Sequence, residues 1–195
     1  RDRSVSRGLG DVYKRQEKGD KIAICGRNSA HWTVTYLAVI TYGAVVVPIL
    51  HEFKADQVHN IVNHSEARLL FVGDQIWENL NEAAMPHLEG IIELKDFGVP
   101  VSRSEKLAYA RDHLNEIFGH KFPCRFRPDD ISYEKEKSED LAIINYTSGT
   151  TGYSKGVMLP YRSILSNVLY CKEKIGLKAG DSVVSMLPLG HVFGM

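Results

Sequence analysis

The chain has 195 residues, of which 44% are hydrophobic, and its 24 basic and 24 acidic side chains give a formal net charge of zero. This composition is typical of a folded globular protein. The balanced charge argues against a nucleic acid as partner, because binding a phosphate backbone needs a basic surface. The three cysteines, Cys25, Cys124 and Cys171, are widely spaced and indicate neither a disulfide framework nor a zinc site. We therefore expect a cytoplasmic protein.

Residues 1–16 are polar and rich in arginine and show no helical or strand period, whereas an ordered pattern begins at Glu17. The string SRGLGDVYKRQ, residues 6–16, reads as an in-frame translation of the transposase adapter used in shotgun DNA sequencing. We interpret residues 1–16 as adapter-derived, with a native disordered or targeting arm as the alternative. The chain stops at Met195 without turn or cap signals, so we expect an incomplete domain over residues 17–195.

The first predicted elements are a buried strand at residues 21–25 and a helix that follows it. Asn28 and Ser29 can cap this helix, and Gly43 ends it. The apolar positions that keep helical spacing are Trp32, Tyr36, Leu37 and Ile40. The next strand is predicted at residues 44–50. No apolar run approaches the ~20 residues that a membrane-spanning helix needs, so any membrane contact is expected to be peripheral.

A second helix is predicted to begin at Asp56, followed by a strand at residues 68–72, a third helix at residues 76–87 and a strand at residues 91–94. The apolar residues on one face of the second helix are Val58, Ile61 and Val62. The order β-α-β-α-β-α-β predicts an α/β fold, a doubly wound and mainly parallel sheet with flanking helices. Ligands of such sheets bind at the carboxyl ends of the strands.

Further along the chain, a charged helix is predicted at residues 104–118 and a solvated surface connection at residues 128–140. A strand-loop-strand unit follows, with strands at residues 141–146 and 157–159 and a loop at residues 147–156. We expect this unit to form a hairpin.

The hairpin loop has the composition of a phosphate-binding loop. Its glycines let the backbone approach a ligand closely, its hydroxyl and N–H groups can donate to oxyanions, and Lys155 supplies a point charge. An ordinary flexible hairpin loop can have a similar composition. The sequence disfavours a P-loop NTPase, because Lys155 lies between Ser154 and Gly156 and precedes a strand rather than a helix.

The string YTSGTTGYSKGVMLP, residues 146–160, resembles the phosphate-binding signature of the adenylate-forming (AMP-binding) superfamily. Downstream, MLPLGHVFGM, residues 186–195, resembles the next motif of that family at the wall of the acyl pocket, with a helix predicted between the motifs at residues 161–175. The segment GDKIAICGRNSAHWTVTYLAVITYGAVVVPI resembles the start of the large domain of bacterial long-chain fatty-acid:CoA ligases. The resemblance covers residues 17–195.

The resemblance implies part of the large N-terminal domain of an enzyme that converts a long-chain fatty acid to acyl-adenylate and then to acyl-CoA. ATP and coenzyme A would be co-substrates, and Mg²⁺ the cofactor. The residues implied to bind the β- and γ-phosphates are Thr147, Ser148, Gly149, Thr150, Thr151, Gly152 and Lys155. Thr147 is also implied as a Mg²⁺ ligand, and Lys155 and His191 as catalytic residues. His191, Phe193 and Gly194 are implied to line the acyl pocket, with His191 orienting or gating, since a fatty carboxylate is already ionised at neutral pH.

Several residues depart from the family pattern or fall outside it. Tyr153 stands where many relatives have a smaller or aliphatic residue, and Ser154 replaces a frequent proline, which would have restricted the loop. His59 and His64 lack the spacing of metal ligands on one helix face, so we expect surface or structural roles for them.

Two other functions stay open. One is a ligase for another carboxylic acid, short-chain or aryl, and the other is a non-catalytic module that binds a nucleotide or an acyl group. The family's metal-binding carboxylate, ribose-binding aspartate, hinge and lid lysine belong to later motifs than those in this sequence. We therefore expect no turnover by this polypeptide alone, and we expect exposed apolar faces and strand edges that favour aggregation.

Overall fold

In a computed structural model, residues 19–127, 130, 137–147, 155–176 and 178–191 are described. The strands within these residues are β1 (Lys21–Cys25), β2 (Val45–Ile49), β3 (Leu69–Val72), β4 (Gly90–Glu93), β5 (Val101–Ser102), β6 (Leu141–Thr147) and β7 (Lys155–Pro160). They form one sheet in the order β5-β4-β3-β1-β2-β6-β7. Neighbouring strands run parallel, except that β5 is antiparallel to β4 and β7 is antiparallel to β6.

Helices connect these strands. They are α1 (Ala30–Tyr42), α2 (Ala55–Ser65), α3 (Asp74–Trp77), α4 (Glu105–Asp112), α5 (Leu114–Lys121) and α6 (Tyr161–Tyr170). The sheet has a hydrophobic core on each face, because successive strand residues point to opposite sides. Ala23 and Cys25 of β1 pack in the core that includes α2, whereas Ile22 and Ile24 pack in the core that includes α1. The predicted α/β fold, a mainly parallel sheet with flanking helices, is confirmed.

The carboxyl ends of β1 and β2 form a topological switch point. Strand β1 is central, with Ile22 opposite Val46 of β2 and Leu69 of β3. The chain leaves β1 towards one face of the sheet and β2 towards the other, since Trp32 of α1 and Val58 of α2 belong to different cores. Doubly wound sheets bind their ligands at such a point. The fold therefore directs the search for a site to this carboxyl edge.

Helix α1 begins and ends where the sequence predicts. The Ser29 hydroxyl accepts a hydrogen bond from the Trp32 N–H at 3.1 Å, and Gly43 ends the helix with φ +85°. Among the apolar positions at helical spacing, Leu37 does not face the core, since it is 53% exposed. The buried stripe passes instead through Thr35, two residues or about 200° around the helix from Leu37.

The predicted second helix is confirmed, but the predicted third helix is wrong. In α2 the residues expected to face inward, Val58, Ile61 and Val62, are buried. Over residues 76–87 the chain forms only the end of α3 and a 3₁₀ turn at Glu82–Ala84. The Asn81 side chain accepts a hydrogen bond from the Ala83 N–H at 3.1 Å, a local bond that competes with a helical ladder.

The segment beyond β5 also differs from its prediction in detail. In place of one charged helix at residues 104–118, α4 and α5 are separated at His113, whose φ is −123°. Most of the predicted surface connection at residues 128–140 lies outside the described residues. The hairpin of β6 and β7 is confirmed, and the helix predicted after it consists of α6 and a π-helical turn at Cys171–Ile175.

Arg68 holds three strands together at the amino edge of the sheet. It precedes β3, and its guanidinium donates to Asp20, before β1, at 2.6 Å and to Glu89, before β4. The hydrogen bond to Glu89 is the main cause that raises the pKa of Arg68. Charged hydrogen bonds therefore join the starts of β1, β3 and β4 at this edge.

Apolar side chains are exposed on β7, on α6 and along residues 183–187, as expected. The most exposed of them are Val183, Val184 and Met186, at 70%, 79% and 84%. No helix among the described residues is both long enough and apolar enough to cross a bilayer.

Candidate active site

The two ends of the predicted phosphate-binding loop lie opposite each other at the carboxyl edge of the sheet. Thr147 is the last residue of β6 and Lys155 the first of β7, and the two are direct partners in the antiparallel ladder. Side chains of such partners share one face, so those of Thr147 and Lys155 project from the same side of the hairpin, and both residues are exposed. The other predicted phosphate ligands, Ser148, Gly149, Thr150, Thr151 and Gly152, lie outside the described residues.

Tyr146 stabilises the base of this hairpin from the other face. Its side chain is buried, and its hydroxyl is 2.6 Å from Nδ1 of His64 on α2. Burial raises the pKa of Tyr146, so the phenol stays protonated. Gly156 makes room for the ring, because a Cβ there would lie 2.9 Å from Ile144 Cγ2 and 3.2 Å from Tyr146 Cζ. The glycine thus has a packing role within the hairpin.

Residues 185–190 cross the carboxyl edge of the sheet next to this hairpin. Gly190 packs on the end of β2, where an added Cβ would lie 3.0 Å from the Ile49 carbonyl oxygen. Asn145 of β6, which is buried, donates from Nδ2 to the Gly190 carbonyl oxygen over a long 3.5 Å. Asn145 and Thr147 are two residues, roughly 7 Å, apart on the same face of β6. The crossing segment and the loop base are therefore neighbours.

A single asparagine holds the middle of this segment. Asn28, just beyond β1, donates from Nδ2 to the Leu187 carbonyl oxygen at 2.8 Å, and its Oδ1 accepts from the Leu189 N–H at 2.7 Å. Its Nδ2 also lies 3.2 Å from Ser185 Oγ and 3.4 Å from the Ser185 carbonyl oxygen. Both halves of the carboxamide are in use.

His191 follows directly on this segment. It is exposed, and its N–H donates to the Pro188 carbonyl oxygen at 2.9 Å in a turn. The structure thus brings Thr147, Lys155 and the segment that ends in His191 to one edge of the sheet. The two other predicted pocket residues, Phe193 and Gly194, lie outside the described residues.

Two asparagines at this edge were not predicted as site residues. Asn28 was considered only as a helix cap, and Ser29 performs that role. Asn145 interrupts the apolar run LAIINYT, and a buried amide in a strand needs a hydrogen-bond partner. That polar interruption was the available signal for Asn145.

The described residues contain no group of three or more His, Cys, Asp or Glu side chains that could hold a metal ion. Mg²⁺ prefers oxygen ligands and retains several waters. The Thr147 hydroxyl fits as one such ligand. The two histidines expected to be structural each make a hydrogen bond within the fold, since His59 Nε2 accepts from the Asn81 N–H at 3.0 Å and His64 contacts Tyr146.

Known proteins that resemble the chain share this architecture. The solved long-chain-fatty-acid-CoA ligase (FadD1) from Archaeoglobus fulgidus is 26% identical with a TM-score of 0.70, and the match covers 97% of this chain and 35% of that one. The ATP-bound MatB from Rhodopseudomonas palustris is 22% identical with a TM-score of 0.68, covering 97% of this chain and 34% of that one. At that lower identity, the likeness to MatB concerns the fold alone.

Among curated proteins, the peroxisomal long chain acyl-CoA synthetase 6 of Arabidopsis thaliana is 30% identical over 197 residues, covering 95% of this chain and 26% of that protein. Long-chain-fatty-acid–CoA ligase 1 of Cavia porcellus is 28% identical over 182 residues, covering 88% and 25%. The chain thus spans about a quarter of the length of these relatives. A family model described as AMP-binding enzyme matches residues 4–195. With nearly its whole length matched, the chain belongs to the family of AMP-binding enzymes.

Proposed function

We propose that the chain is part of an ATP-dependent ligase that activates a long-chain fatty acid. In the first half-reaction, the fatty carboxylate attacks the α-phosphorus of ATP, the bond to the β-phosphate breaks, and acyl-adenylate and pyrophosphate result. In the second, the thiol of coenzyme A loses its proton, attacks the acyl carbon and displaces AMP, which gives acyl-CoA. The observation that carries the proposal is the pairing of Thr147 with Lys155 beside the segment that ends in His191.

The paired residues suit a reaction that concentrates negative charge. Catalysis of phosphoryl and nucleotidyl transfer depends mainly on positioning and electrostatic stabilisation. Lys155 would balance charge on the departing pyrophosphate, and Thr147 would donate to a phosphate oxygen. When bound, Mg²⁺ would take the Thr147 hydroxyl as one ligand and neutralise part of the phosphate charge.

His191 would act in orientation of the acid. It follows the segment that crosses the sheet next to the hairpin. A fatty acid needs no general base, because its carboxylate is ionised at neutral pH. Its backbone is fixed by the turn to Pro188 and by the anchored segment before it. The ring would therefore mark one wall of the acyl site, together with Phe193 and Gly194.

The names of the relatives support a long-chain substrate. The peroxisomal synthetase of Arabidopsis thaliana and the ligase of Cavia porcellus both carry long-chain names, and so does the solved structure from Archaeoglobus fulgidus. The identities of 26–30% leave a ligase for a short-chain or aryl acid as a competing form of the same proposal. A cytoplasmic enzyme with peripheral membrane contact would suit a substrate that partitions into lipid.

A binding module without chemistry is the second candidate. Its support is the exposed pair of Thr147 and Lys155, which could bind a polyphosphate without carrying out a reaction. For the 195-residue chain alone, we expect binding of ATP without turnover.

The test begins with recovery of the complete reading frame around this sequence. The expressed protein is assayed for acid-dependent release of pyrophosphate with ATP and Mg²⁺, using a panel of long-chain, short-chain and aryl acids, and for formation of the CoA thioester. Lys155→Ala should lower the rate roughly 10²- to 10³-fold, as expected for loss of one charge-stabilising group. Lys178→Ala, which changes an exposed lysine away from the hairpin, is the matched control and should leave the rate unchanged.

The outcomes separate the candidates. Pyrophosphate release with long-chain acids, followed by thioester formation, supports the ligase. Pyrophosphate release only with short-chain or aryl acids would show that the ligase activates one of these acids instead of a long-chain fatty acid. Hydrolysis of ATP that ignores every acid, or a reading frame that ends at Met195 and binds ATP without turnover, would refute the ligase and favour the module.

A further inference from the structure

We propose that Asn28 is the positioning residue of the candidate active site: its carboxamide fixes residues 185–189 on the carboxyl edge of the sheet and thereby sets the place of His191. The part of this proposal that concerns the reaction rests on the function proposed above. The structural part does not. The hydrogen bonds of Asn28 go to Ser185, Leu187 and Leu189, so it would act through the segment that it holds.

The carboxamide is matched to the segment at both of its ends. Oδ1 accepts from the Leu189 N–H at 2.7 Å, while Nδ2 donates to the Leu187 carbonyl oxygen at 2.8 Å. Only an amide side chain offers a donor and an acceptor in this fixed arrangement. An aspartate keeps the acceptor and loses the donor, and an alanine loses both. The site therefore discriminates between side chains of nearly equal size.

Asn28 itself stands on a rigid support. It lies between the end of the central strand β1 and Ser29, the N-cap of α1. Just before it, Gly26 is packed so closely that an added Cβ would lie 2.6 Å from Leu94 Cδ1. The carboxamide is thus held by the centre of the sheet and by a capped helix.

The segment that Asn28 holds is supported by apolar burial only near its end. Leu189 packs against the hydrophobic core that includes α1, whereas Met186 is 84% exposed, so burial of apolar surface does not fix the start of the segment. The next anchor is Gly190, which packs on the end of β2 and accepts the long hydrogen bond from Asn145. The bonds of Asn28, the packing of Leu189 and the contacts of Gly190 therefore hold the residues that lead into His191.

The bonds of Asn28 should control local order rather than global stability. Asn28 is exposed, and a hydrogen bond that water can replace contributes modestly to the free energy of unfolding. The same bonds limit how far residues 185–189 can move before the Leu189 N–H becomes free to exchange with solvent. Loss of Asn28 should consequently free the segment while the sheet remains folded.

The direct experiment measures amide hydrogen exchange at Leu189 in the 195-residue chain. Asn28→Ala should speed exchange at Leu189 roughly tenfold, while exchange in β1 and β2 stays unchanged. Asn28→Asp retains an acceptor for the Leu189 N–H and should lie between the parent and Asn28→Ala. The matched control is Asn63→Asp, because Asn63 Nδ2 also donates to a backbone carbonyl, that of Ala84, at 2.8 Å, in another loop. The control should leave Leu189 unchanged.

A second experiment measures the reaction in the complete protein. Asn28→Ala should lower kcat for acyl-adenylate formation roughly 10- to 100-fold with little change in the KM for ATP, since a small misplacement of a reacting or orienting group is costly. Asn28→Asp should recover part of kcat. A general loss of folding would lower the amount of active enzyme and change protection throughout the sheet, so the exchange data distinguish it.

Two results would overturn the proposal. If Asn28→Ala leaves Leu189 exchange at the parent rate, the carboxamide does not hold the segment. If exchange rises and kcat is unaffected in an active ligase, Asn28 holds the segment without positioning the site. Failure of every acid in the pyrophosphate assay would refute the proposed function and leave the exchange result standing.

Discussion

The two edges of the sheet are held by different chemistry. At the amino edge, Arg68 joins Asp20 and Glu89 and ties the starts of three adjacent strands. At the carboxyl edge, the uncharged amides of Asn28 and Asn145 hold the segment that precedes His191. The charged groups at the amino edge stabilise the sheet. At the loop base the ammonium group of Lys155 is exposed to solvent. The carboxyl edge also has an ion pair, Lys95 with Glu93 at the end of β4.

This difference in charge between the two edges indicates where a polyphosphate can bind. A carboxylate network at the carboxyl edge would repel phosphate oxygens and would compete for Lys155. Neutral amides can fix a backbone without adding such a field. We infer that the fold keeps its ion pairs away from the hairpin: Arg68 and its partners lie at the amino edge, and the Lys95–Glu93 pair lies at the end of β4, which is separated from β6 by three strands. The following changes test that division.

The largest effect on stability is expected from Arg68→Ala. It leaves Asp20 and Glu89, which are only 18% and 35% exposed, without their shared cation. We expect the free energy of unfolding to fall by about 1–3 kcal/mol, less than for a fully buried pair because solvent screens the site. Denaturant unfolding measures it. Arg162→Ala breaks the exposed pair with Glu139, at 64% and 65% exposure, and should cost no more than about 0.5 kcal/mol.

The next effect is expected from Gly190→Ala at the carboxyl edge. The new Cβ would lie 3.0 Å from the Ile49 carbonyl oxygen, so the segment must shift by a few tenths of an ångström. We expect a loss of about 1–2 kcal/mol and faster amide exchange around residue 190. Gly119→Ala in α5 meets no atom within 4 Å and should instead stabilise the helix by about 0.5–1 kcal/mol. Equal effects of the two substitutions would contradict the close packing at Gly190.

A high salt concentration should affect the interactions at the two edges of the sheet differently. At about 1 M NaCl the screening length falls to about 3 Å, so the stability difference between the parent and Arg68→Ala should shrink. The protection of the Leu189 amide should keep its value, because the bonds of Asn28 involve no charge. Paired unfolding and exchange measurements at low and high salt give the result. A salt-dependent Leu189 would count against the division of labour between the edges.

The smallest effect is expected from pH and concerns His59, on a helix between the edges. Burial lowers the pKa of His59, although the charge of Asp56 partly opposes it. The native state thus favours the neutral ring, whose Nε2 accepts from the Asn81 N–H. Its contribution to stability is present above the unfolded pKa of about 6.5 and is lost as pH falls through the lowered native value.

Unfolding at pH 7.5 and 5.5 measures this contribution. We expect a change of a few tenths of a kcal/mol, since the ring is partly exposed. His59→Gln should make the pH dependence shallower. His120→Gln, at an exposed histidine 3.8 Å from Glu116, is the control. An unchanged slope in His59→Gln would show that the ring does not titrate with folding.

Local patterns were sufficient for the elements whose structure depends on local interactions. The apolar runs at β1 and β2, the inward face of α2 and the capping of α1 by Ser29 all follow from residues close in sequence. The hairpin at the site was predictable for the same reason. Its loop has two apolar strands immediately on either side, so the meeting of Thr147 with Lys155 needed no distant contact.

Other features depend on contacts that the local sequence pattern does not reveal. The helix expected at residues 76–87 is absent because Asn81 bonds locally to Ala83 and, at the surface, to His59 of α2. Leu37 keeps helical spacing, yet the sheet contacts a stripe centred on Thr35. The role of Asn28 could not be predicted because its partners lie 157 to 161 residues away.

That separation along the chain also has a consequence for synthesis. A ribosome that adds about 5–20 residues per second needs roughly 8–30 s to reach Ser185 after it has made Asn28. The central strands can pair in that interval, since their partners lie within the first half of the described chain. The carboxamide of Asn28 would wait at the end of β1, hydrated, until residues 185–189 emerge. We therefore expect residues 185–189 to be added to a sheet whose central strands have already paired.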